Sequence, residues 1–429
     1  MADNDFKTLR PDGAVALWLQ GKDVWNAWVE ENPEYNIIFH GIDFSEYREH
    51  PTIPKGEWPF QRFNFPKGDV DFSEAVFDDG DVSFSYVKFG DGDVFFTEAQ
   101  FGNGNVSFLG AQFGDGYVDF FKVTFSDGFV IFLETKFGDG ATYFTHVQFG
   151  SGYVDFSRAQ FGEGSAVFSS VTFGDGDVSF LGVKFVGDAL FLGLKEVDKV
   201  KSFSFKGAVF NGPFDISSDE TFPCLIDLTH TKTSHHVSLD GVKCTLLRKP
   251  KRRPRFFTDG DWATQMVAND PKDIVCARRL MELAEANKDH QAAQNFHVLE
   301  MQANREHSKC PIGYLWNTEF WYEKLSDYGR SISRPLDRLL DICIFYMAAY
   351  LGASYQILGH FNCLKSIIYS VAQMFAFIPS SRGARSKLGE ALFRKTPPDL
   401  IYALTFSQSI LALILLFLLG LGLRHRYRI

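Results

Sequence analysis

Carboxylate side chains recur in a glycine-bearing turn that the chain repeats every twelve residues. The turn reads DDGD, GDGD, GNGN and GDGY in its first four occurrences after Phe77. Calcium-binding β-rolls also place acidic residues beside glycine, but with a nine-residue period. Here the residue after each glycine varies, from Asp93 to Tyr117 and Phe129. The sequence therefore favours solvated acidic turns over a calcium ladder, and it predicts no metal site.

Residues that could carry out catalysis do not occur in the patterns that known chemistries need. The chain has no Walker A motif, no GxSxG, no Rossmann glycine fingerprint and, among its six cysteines, no CxxC pair. His290, His297 and His307 lie near Glu300 but without HExxH spacing. We therefore predict no catalytic residue, no cofactor and a non-enzymatic role. An enzyme would need a constellation that only the fold assembles.

Polar residues also interrupt two long apolar segments near the C-terminus. Residues 342–364 and 400–423 contain no Asp, Glu, Lys or Arg, and both exceed the roughly 20 residues that cross a bilayer. Polar groups inside such segments face protein or water, and they serve interhelical hydrogen bonds or a pore. The candidate polar face comprises Tyr355, Gln356, Thr405, Gln408 and Ser409.

Phenylalanines recur between these turns with the same period of twelve residues. One series runs at twelve-residue intervals from Phe72 to Phe180, and a second runs from Phe77 to Phe185. Residues two before each member of either series are small or branched, such as Val70 and Ala75, so both lie on one face of an extended segment. A short, exact period indicates a solenoid whose coils bury their apolar faces against each other.

The repeats resemble those of the bacterial pentapeptide-repeat proteins, as SEAVF, TEAQF, LGAQF and SRAQF show. The resemblance implies a mainly β fold, a right-handed quadrilateral β-helix. Two twelve-residue repeats would form one coil, against the usual twenty residues, with the extra residues in the glycine turns. The segment LWLQGKDVWNAWVEENPEYNIIFHGIDF resembles the helical N-terminal cap of the same proteins.

With two repeats per coil, the turn residues form two columns at opposite corners. Close carboxylates in such a column raise each other's pKa or recruit a cation. The candidate acidic surface is the column Asp91, Asp115, Asp139 and Glu163, and the other column is Asp79, Asn103, Asp127, Ser151 and Asp175. Residues 69–192 contain nineteen Asp and Glu against five Lys and Arg, so nucleic acid is not the expected partner.

The remaining sequence divides into further segments. The predicted order is a helical cap at 1–40, the β-helix at 41–246 with regular repeats at about 60–192, a basic linker at 247–258, a helical hairpin at 259–310, a juxtamembrane segment at 311–341, a membrane helix at 342–364, a loop at 365–399 with a short apolar helix at 366–378, a second membrane helix at 400–423 and a basic tail at 424–429.

These features predict a multi-pass protein of the bacterial inner membrane with a cytoplasmic β-helix and C-terminus. The orientation rests on the absence of an apolar signal core in MADNDFKTLRPDG, because basic residues are equally numerous inside and outside the loop. The leading function is a membrane-anchored recognition scaffold that binds a cytoplasmic protein. Two alternatives stay open: a homo-oligomeric pore gated by the repeats, and an acidic DNA mimic that binds a DNA-handling enzyme.

Overall fold

In a computed structural model, the chain forms two compact units, Met1–His307 and Ser308–Ile429. The described residues are 7–55, 57–252, 264–268, 270–307, 318–394 and 397–427.

In the regular coils of the first unit, short parallel strands pair with residues 24 positions apart in the sequence. Val94, for example, pairs with Val70 before it and Val118 after it. Two twelve-residue repeats therefore make one coil, as predicted, and the result is a parallel β-helix. Its regular coils have four successive ladders, which we call the first to fourth faces.

The first face is the longest ladder, and the third face is the next longest. Strands of the first face are Lys7–Leu9, Tyr35–Ile38, Val70–Asp71, Val94–Phe95, Val118–Asp119, Thr142–Tyr143, Ala166–Ser169, Ala189–Leu192, Phe214–Ile216 and Val237–Ser238. Strands of the third face are Glu57–Pro59, Asp81–Ser83, Val106–Ser107, Val130–Ile131, Val154–Asp155, Asp177–Ser179, Ser202–Ser204 and Ile226–Asp227.

The second and fourth faces combine short strands with single-residue bridges. The second face contains Val76–Phe77, Gln100–Phe101 and Thr124–Phe125, followed by bridges through Gln148, Thr172 and Lys195. The fourth face begins with bridges from Asn64 to Gln160 and continues in Gln160–Phe161, Lys184–Phe185, Val209–Phe210 and Lys232–Thr233. A further pair joins Thr221–Phe222 to Lys243–Cys244, and short 3₁₀ turns occur at Phe44–Tyr47 and Val197–Lys199.

Phenylalanine rings fill the interior of the coils. In one column, from Phe72 to Phe168, neighbouring ring centroids lie 4.7 to 5.1 Å apart. A second column, from Phe84 to Phe180, has spacings of 4.6 to 4.9 Å and meets the first edge to face. Strand spacing sets these distances, because identical residues occupy the same position in successive coils. The predicted core role of the aromatic series is confirmed.

The N-terminal cap consists of two helices between two strands of the first face. Helices α1 (Pro11–Trp18) and α2 (Lys22–Glu31) follow the strand Lys7–Leu9 and precede Tyr35–Ile38. The cap predicted at 1–40 therefore contains two strands of the β-helix as well as its helices. These strands extend the ladder to the N-terminal side of Val70.

Side chains of the cap cover the first regular coil. Trp18 and Trp25 are buried, and their indole N–H groups donate to the Pro59 and Asn64 carbonyls at 3.1 and 2.7 Å. The Asn26 side chain accepts the backbone N–H of Asn64 at 2.8 Å. The cap thus occupies backbone groups at a strand edge that would otherwise be open to pairing.

A second cap covers the other end of the β-helix. Helices α3 (Asp273–Ala286) and α4 (His290–His307) form the predicted hairpin, and the Asp289 carboxylate accepts the Gln291 and Ala292 N–H groups at the start of α4. The hairpin begins later than predicted, because residues 264–268 form a strand instead.

The hairpin shares one hydrophobic core with the last coils. Leu280 and Phe296 belong to this core, and the Arg279 guanidinium donates to the Thr231 carbonyl at 3.3 Å. Burial raises the pKa of the Cys224 thiol to about 11, so this cysteine stays neutral. The predicted connector is therefore also an end cap.

Part of the predicted basic linker at 247–258 is a strand. Arg248–Arg252 pairs antiparallel with Thr264–Ala268. Proline disfavours a central strand because it lacks a backbone N–H, but Pro250 lies in a two-stranded ribbon in which each strand is an edge. The ribbon does not continue any ladder of the β-helix.

The second unit is helical in its described part. Its helices are α5 (Thr318–Ser326), α6 (Ser333–Leu358), α7 (Cys363–Met374), α8 (Ser381–Phe393) and α9 (Asp399–Tyr427). Helix α6 packs against α7, α8 and α9, and two small hydrophobic clusters lie between them.

The first predicted membrane helix, at 342–364, is wrong as a single span. Helix α6 ends at Leu358, Gly359 adopts a left-handed backbone with φ of 75°, and α7 starts at Cys363. Counting uncharged residues cannot detect this helix break. Among the described residues, one helix is long and apolar enough to cross a membrane, over Asp399–Arg424.

Candidate functional site

The turn carboxylates form the predicted columns, with neighbours linked along the axis. The Asn103 backbone N–H donates to Oδ1 of Asp79 at 2.9 Å. In the candidate acidic surface, the N–H of Asp139 donates to Asp115, and that of Glu163 donates to Asp139, each at 3.1 Å. A turn carboxylate therefore satisfies a backbone donor of the next coil, a structural role that the sequence analysis missed.

Hydrogen bonds also lower the pKa of one turn carboxylate, that of Asp127. The Ser151 backbone N–H and hydroxyl both donate to its carboxylate, at 3.0 and 2.9 Å. They hold the pKa of Asp127 below its ordinary value, because they stabilise the charged form. The neighbours of Asp127 in its column, Asn103 and Ser151, are uncharged, so repulsion between carboxylates does not act on it there. Within the described part of the chain, no group of three or more metal-ligating side chains is arranged to hold a metal ion.

An open polar groove runs along the second face, and we call it the second-face groove. Its volume is about 520 Å³. It is lined by Glu98, Gln100, Lys122, Thr124, His146, Gln148, Ser170, Thr172 and Lys195. Residues from successive coils thus present amides, hydroxyls and charged groups side by side at the strand spacing.

One edge of the groove has internal contacts that position its charged groups. The Lys122 ammonium lies 2.8 Å from the Glu98 carboxylate and 5.0 Å from the centre of the Phe121 ring. The His146 ring meets Phe121 edge to face at 5.9 Å. These groups supply both donors and acceptors, so the groove suits a polar ligand that extends along the axis.

The same edge consists of residues in a left-handed backbone conformation. Non-glycine residues with φ of 55 to 62° recur at the corners before the second and fourth faces: Arg62, Glu74, Tyr86, Glu98, Lys122, Glu134, His146, Arg158 and Ser170. Glycine occupies equivalent corners at 110 and 182. The sequence analysis missed these corners because most of them lack the glycine that usually marks such a conformation.

In the second unit, Gln408 is the centre of a buried hydrogen-bond network. Its carbonyl accepts the Tyr350 hydroxyl at 2.9 Å, and its amide donates to the Ser370 carbonyl and hydroxyl at 3.0 and 2.9 Å. The Ser370 hydroxyl in turn contacts the Cys343 carbonyl at 3.0 Å. Gln408 thus joins α9 to α6 and α7 within one chain.

The other residues of the predicted membrane face do not join this network. Tyr355 is exposed and stacks on Phe361 at 4.5 Å, and Gln356 is also exposed. Thr405 and Ser409 are half-buried on α9, where the Ser409 hydroxyl donates to the Thr405 carbonyl at 2.8 Å. The five predicted residues therefore do not form one continuous surface in the second unit.

The second unit buries several polar side chains and exposes many large apolar ones. Its buried polar residues include Ser354, Ser366, Ser370, Gln373 and Gln408. Several of its large apolar residues are exposed: Ile344, Phe345, Phe406 and Phe417 are each more than 60% exposed. This distribution is typical of helices surrounded by lipid.

No protein-family model matches the chain, and neither the curated proteins nor the solved structures contain a significant match.

Proposed function

We propose that this protein is a membrane-anchored recognition scaffold of the pentapeptide-repeat type, with no catalytic activity of its own. The β-helix offers the binding surface, and the second unit holds it at the inner membrane of a bacterium. The observation that carries this proposal is the set of exposed apolar and buried polar side chains in the helical unit, together with the length of α9. A partner protein on the cytoplasmic side is the expected ligand.

Membrane insertion is tested with full-length protein mixed with liposomes. The wild-type chain should float with the lipid and resist alkaline extraction. Phe406→Arg, on a side chain that is 69% exposed on α9, should lose this resistance because a charge in the hydrocarbon layer is costly. Arg382→Lys on α8 serves as the matched control. A wild-type chain that stays monomeric in water without detergent would overturn the proposal.

The distribution of charge supports a cytoplasmic position for the end of the second unit at which α6 begins. Met374 of α7 packs in one cluster with Leu339 of α6, so the α7–α8 turn lies near that end. Arg385 donates to the Ala376 carbonyl at 3.0 Å and therefore lies there too, with Arg338. In the sequence, basic residues are equally numerous inside and outside the loop. In the structure, they are therefore unequally divided between the two ends of the second unit.

The second-face groove is the surface at which we place recognition. Gln148 is exposed at its centre, and Gln112 occupies an exposed strand position on the fourth face. A photo-crosslinking amino acid is introduced at either position, and the two variants are compared in living cells. Crosslinked partners at Gln148 and none at Gln112 are expected. Identical products at both positions, or none at Gln148, would contradict binding in the groove.

An oligomeric pore is a second function, favoured by one observation on α8. Lys387 and Glu390 are exposed on this helix, although α6 and α7, which pack against it, expose apolar side chains. Charges among lipid-facing helices require water or a partner, and an oligomer with α8 inside would supply a water-filled interior. Ion flux through liposomes that Glu390→Leu changes and Phe406→Leu leaves intact would support it, and no flux from inserted protein would reject it.

A further inference from the structure

Four lysines form a straight row along the fourth face, and we call them the lysine row. Outward positions of this face are occupied in successive coils by Asn64, Lys88, Gln112, Lys136, Gln160, Lys184, Val209 and Lys232. Lysine thus returns at every second coil, with an uncharged residue between. All four lysines of the row are exposed.

The lysine row has no ion-pair partner among the described residues, although acidic residues outnumber basic ones in this region. Corner residues behave differently, since Lys122 pairs with Glu98 and Arg158 pairs with Glu134, at 2.8 and 3.1 Å. Lysines two coils apart place their ammonium groups about 10 Å from each other, which is close to the Debye length at physiological ionic strength. Repulsion within the row is therefore weak, while the row as a whole attracts anions.

We propose that the lysine row rests on an anionic lipid surface, so that the β-helix lies along the membrane to which the chain is anchored. This inference rests on the proposed function. The row is about 30 Å long, because six strand spacings separate Lys88 from Lys232. A fluid layer of anionic headgroups can adjust to any charge spacing, and each lysine near such a surface contributes about 1 kcal/mol.

The neighbouring acidic column does not prevent this contact. Asp115 and Asp139 are short side chains that accept backbone N–H groups of the next coil, so their carboxylates are held at the turn. Lysine has a long flexible stem that carries its charge outwards. A duplex nucleic acid is the less suitable anion, because its rigid backbone would meet the acidic column as well.

The test compares full-length protein inserted in lipid discs of phosphatidylcholine alone with discs that also contain phosphatidylglycerol. Acetylation of each lysine is followed by mass spectrometry. We expect Lys88, Lys136, Lys184 and Lys232 to react several-fold more slowly on anionic discs, and high salt to remove the difference. Lys122 and Lys195, which line the second-face groove, should react equally on both.

Substitution distinguishes an effect of the lysine row from an effect of the net charge of the protein. Replacing the four lysines of the row with glutamine, the residue already present at Gln112 and Gln160, should leave the fold intact. This variant should lose any charge-dependent approach of the β-helix to the lipid, measured by quenching of Tyr86→Trp with brominated phosphatidylglycerol. A control with glutamine at Lys55, Lys122, Lys195 and Lys201 should keep it.

Three negative outcomes have different meanings. Inserted protein with equal acetylation on both discs would overturn the lipid contact and leave the anchored scaffold standing. Protein that does not insert at all would overturn both proposals. Equal loss of quenching in the two glutamine variants would assign the effect to net charge and reject the lysine row.

Discussion

Each inward-facing phenylalanine in the middle of the β-helix stacks between the phenylalanines at the same position in the coils before and after it. The Phe108 ring, for example, stacks on Phe84 at 4.9 Å and on Phe132 at 4.7 Å. Phe108→Ala should lower the free energy of unfolding by about 3 to 5 kcal/mol, since it leaves a cavity between rigid neighbours. Phe129→Ala, at a turn residue that is 53% exposed, should change it by less than about 1 kcal/mol. Chemical denaturation measures both, and equal effects would contradict the packing argument.

Left-handed corners should be improved by glycine. Glu74 has a φ of 57°, and this left-handed backbone costs a residue with a side chain about 1 to 2 kcal/mol. Glycine avoids this cost, but it loses more chain entropy on folding, so the net gain is smaller. Glu74→Gly should therefore stabilise the protein by about 0.5 to 1 kcal/mol. The reverse change, Gly207→Ala, should destabilise it, because φ is 69° there although the space is open. A stabilising Gly207→Ala would disprove this account.

Turn glycines are required for a different reason. Gly104 has no positive φ, but a Cβ at this residue would lie 1.9 Å from the Gly80 carbonyl oxygen in the preceding coil. Gly104→Ala should cost about 3 kcal/mol or more, since backbone rather than a flexible side chain must move. Thermal unfolding would show the loss. A decrease no larger than that of Gly207→Ala would mean that the coils can separate locally.

Among the structural elements, the N-terminal cap depends on Asn26. Its amide bridges the Asn64 N–H and the Arg62 carbonyl at 2.8 and 3.1 Å. Asn26→Ala should lower stability by about 1 to 3 kcal/mol and promote aggregation through the uncovered strand edge. Gln20→Ala, which removes only a local contact with Ala16, is the control. Light scattering during heating follows both, and equal onset temperatures would argue against the cap.

The helical unit depends on its buried network in a similar way. Gln408→Leu leaves the Ser370 groups and the Tyr350 hydroxyl without their partner, so it should lower thermal stability in detergent by about 1 to 3 kcal/mol. Tyr402→Leu, at a residue that is 58% exposed, should have little effect. If Gln408→Leu leaves stability unchanged but alters ion flux, the residue acts in a pore rather than in packing.

At the scale of the whole molecule, the end caps determine where the chain can be truncated without exposing a coil. A chain ending at His307 keeps α3 and α4, which share the core of the β-helix, so it should be soluble and monomeric. A chain ending at Arg255 lacks this cap and exposes the last coil, so it should aggregate. Size-exclusion chromatography with light scattering compares the two. A monomeric chain ending at Arg255 would show that the hairpin is dispensable.

Several features of this architecture could be predicted from the sequence. A twelve-residue period of phenylalanine leads directly to stacked coils, because repetition at one interval places identical side chains in register. The 24-residue coil, the buried rings and the turn columns follow from that period. Amphipathic patterns also predicted the hairpin, with Asp289 at the start of its second helix. Each prediction depends on local periodicity, which a linear sequence displays.

Other features were decided by the tertiary structure alone. Turn carboxylates bind backbone donors of the next coil, and α3 and α4 close the β-helix, because both depend on what lies beside a residue in space. The division of the apolar segment at Gly359 depends on backbone conformation, and the alignment of Lys88 with Lys136 depends on coil geometry. Periodicity determines which residues repeat, whereas burial, hydrogen bonding and charge pairing depend on neighbours that are distant in sequence.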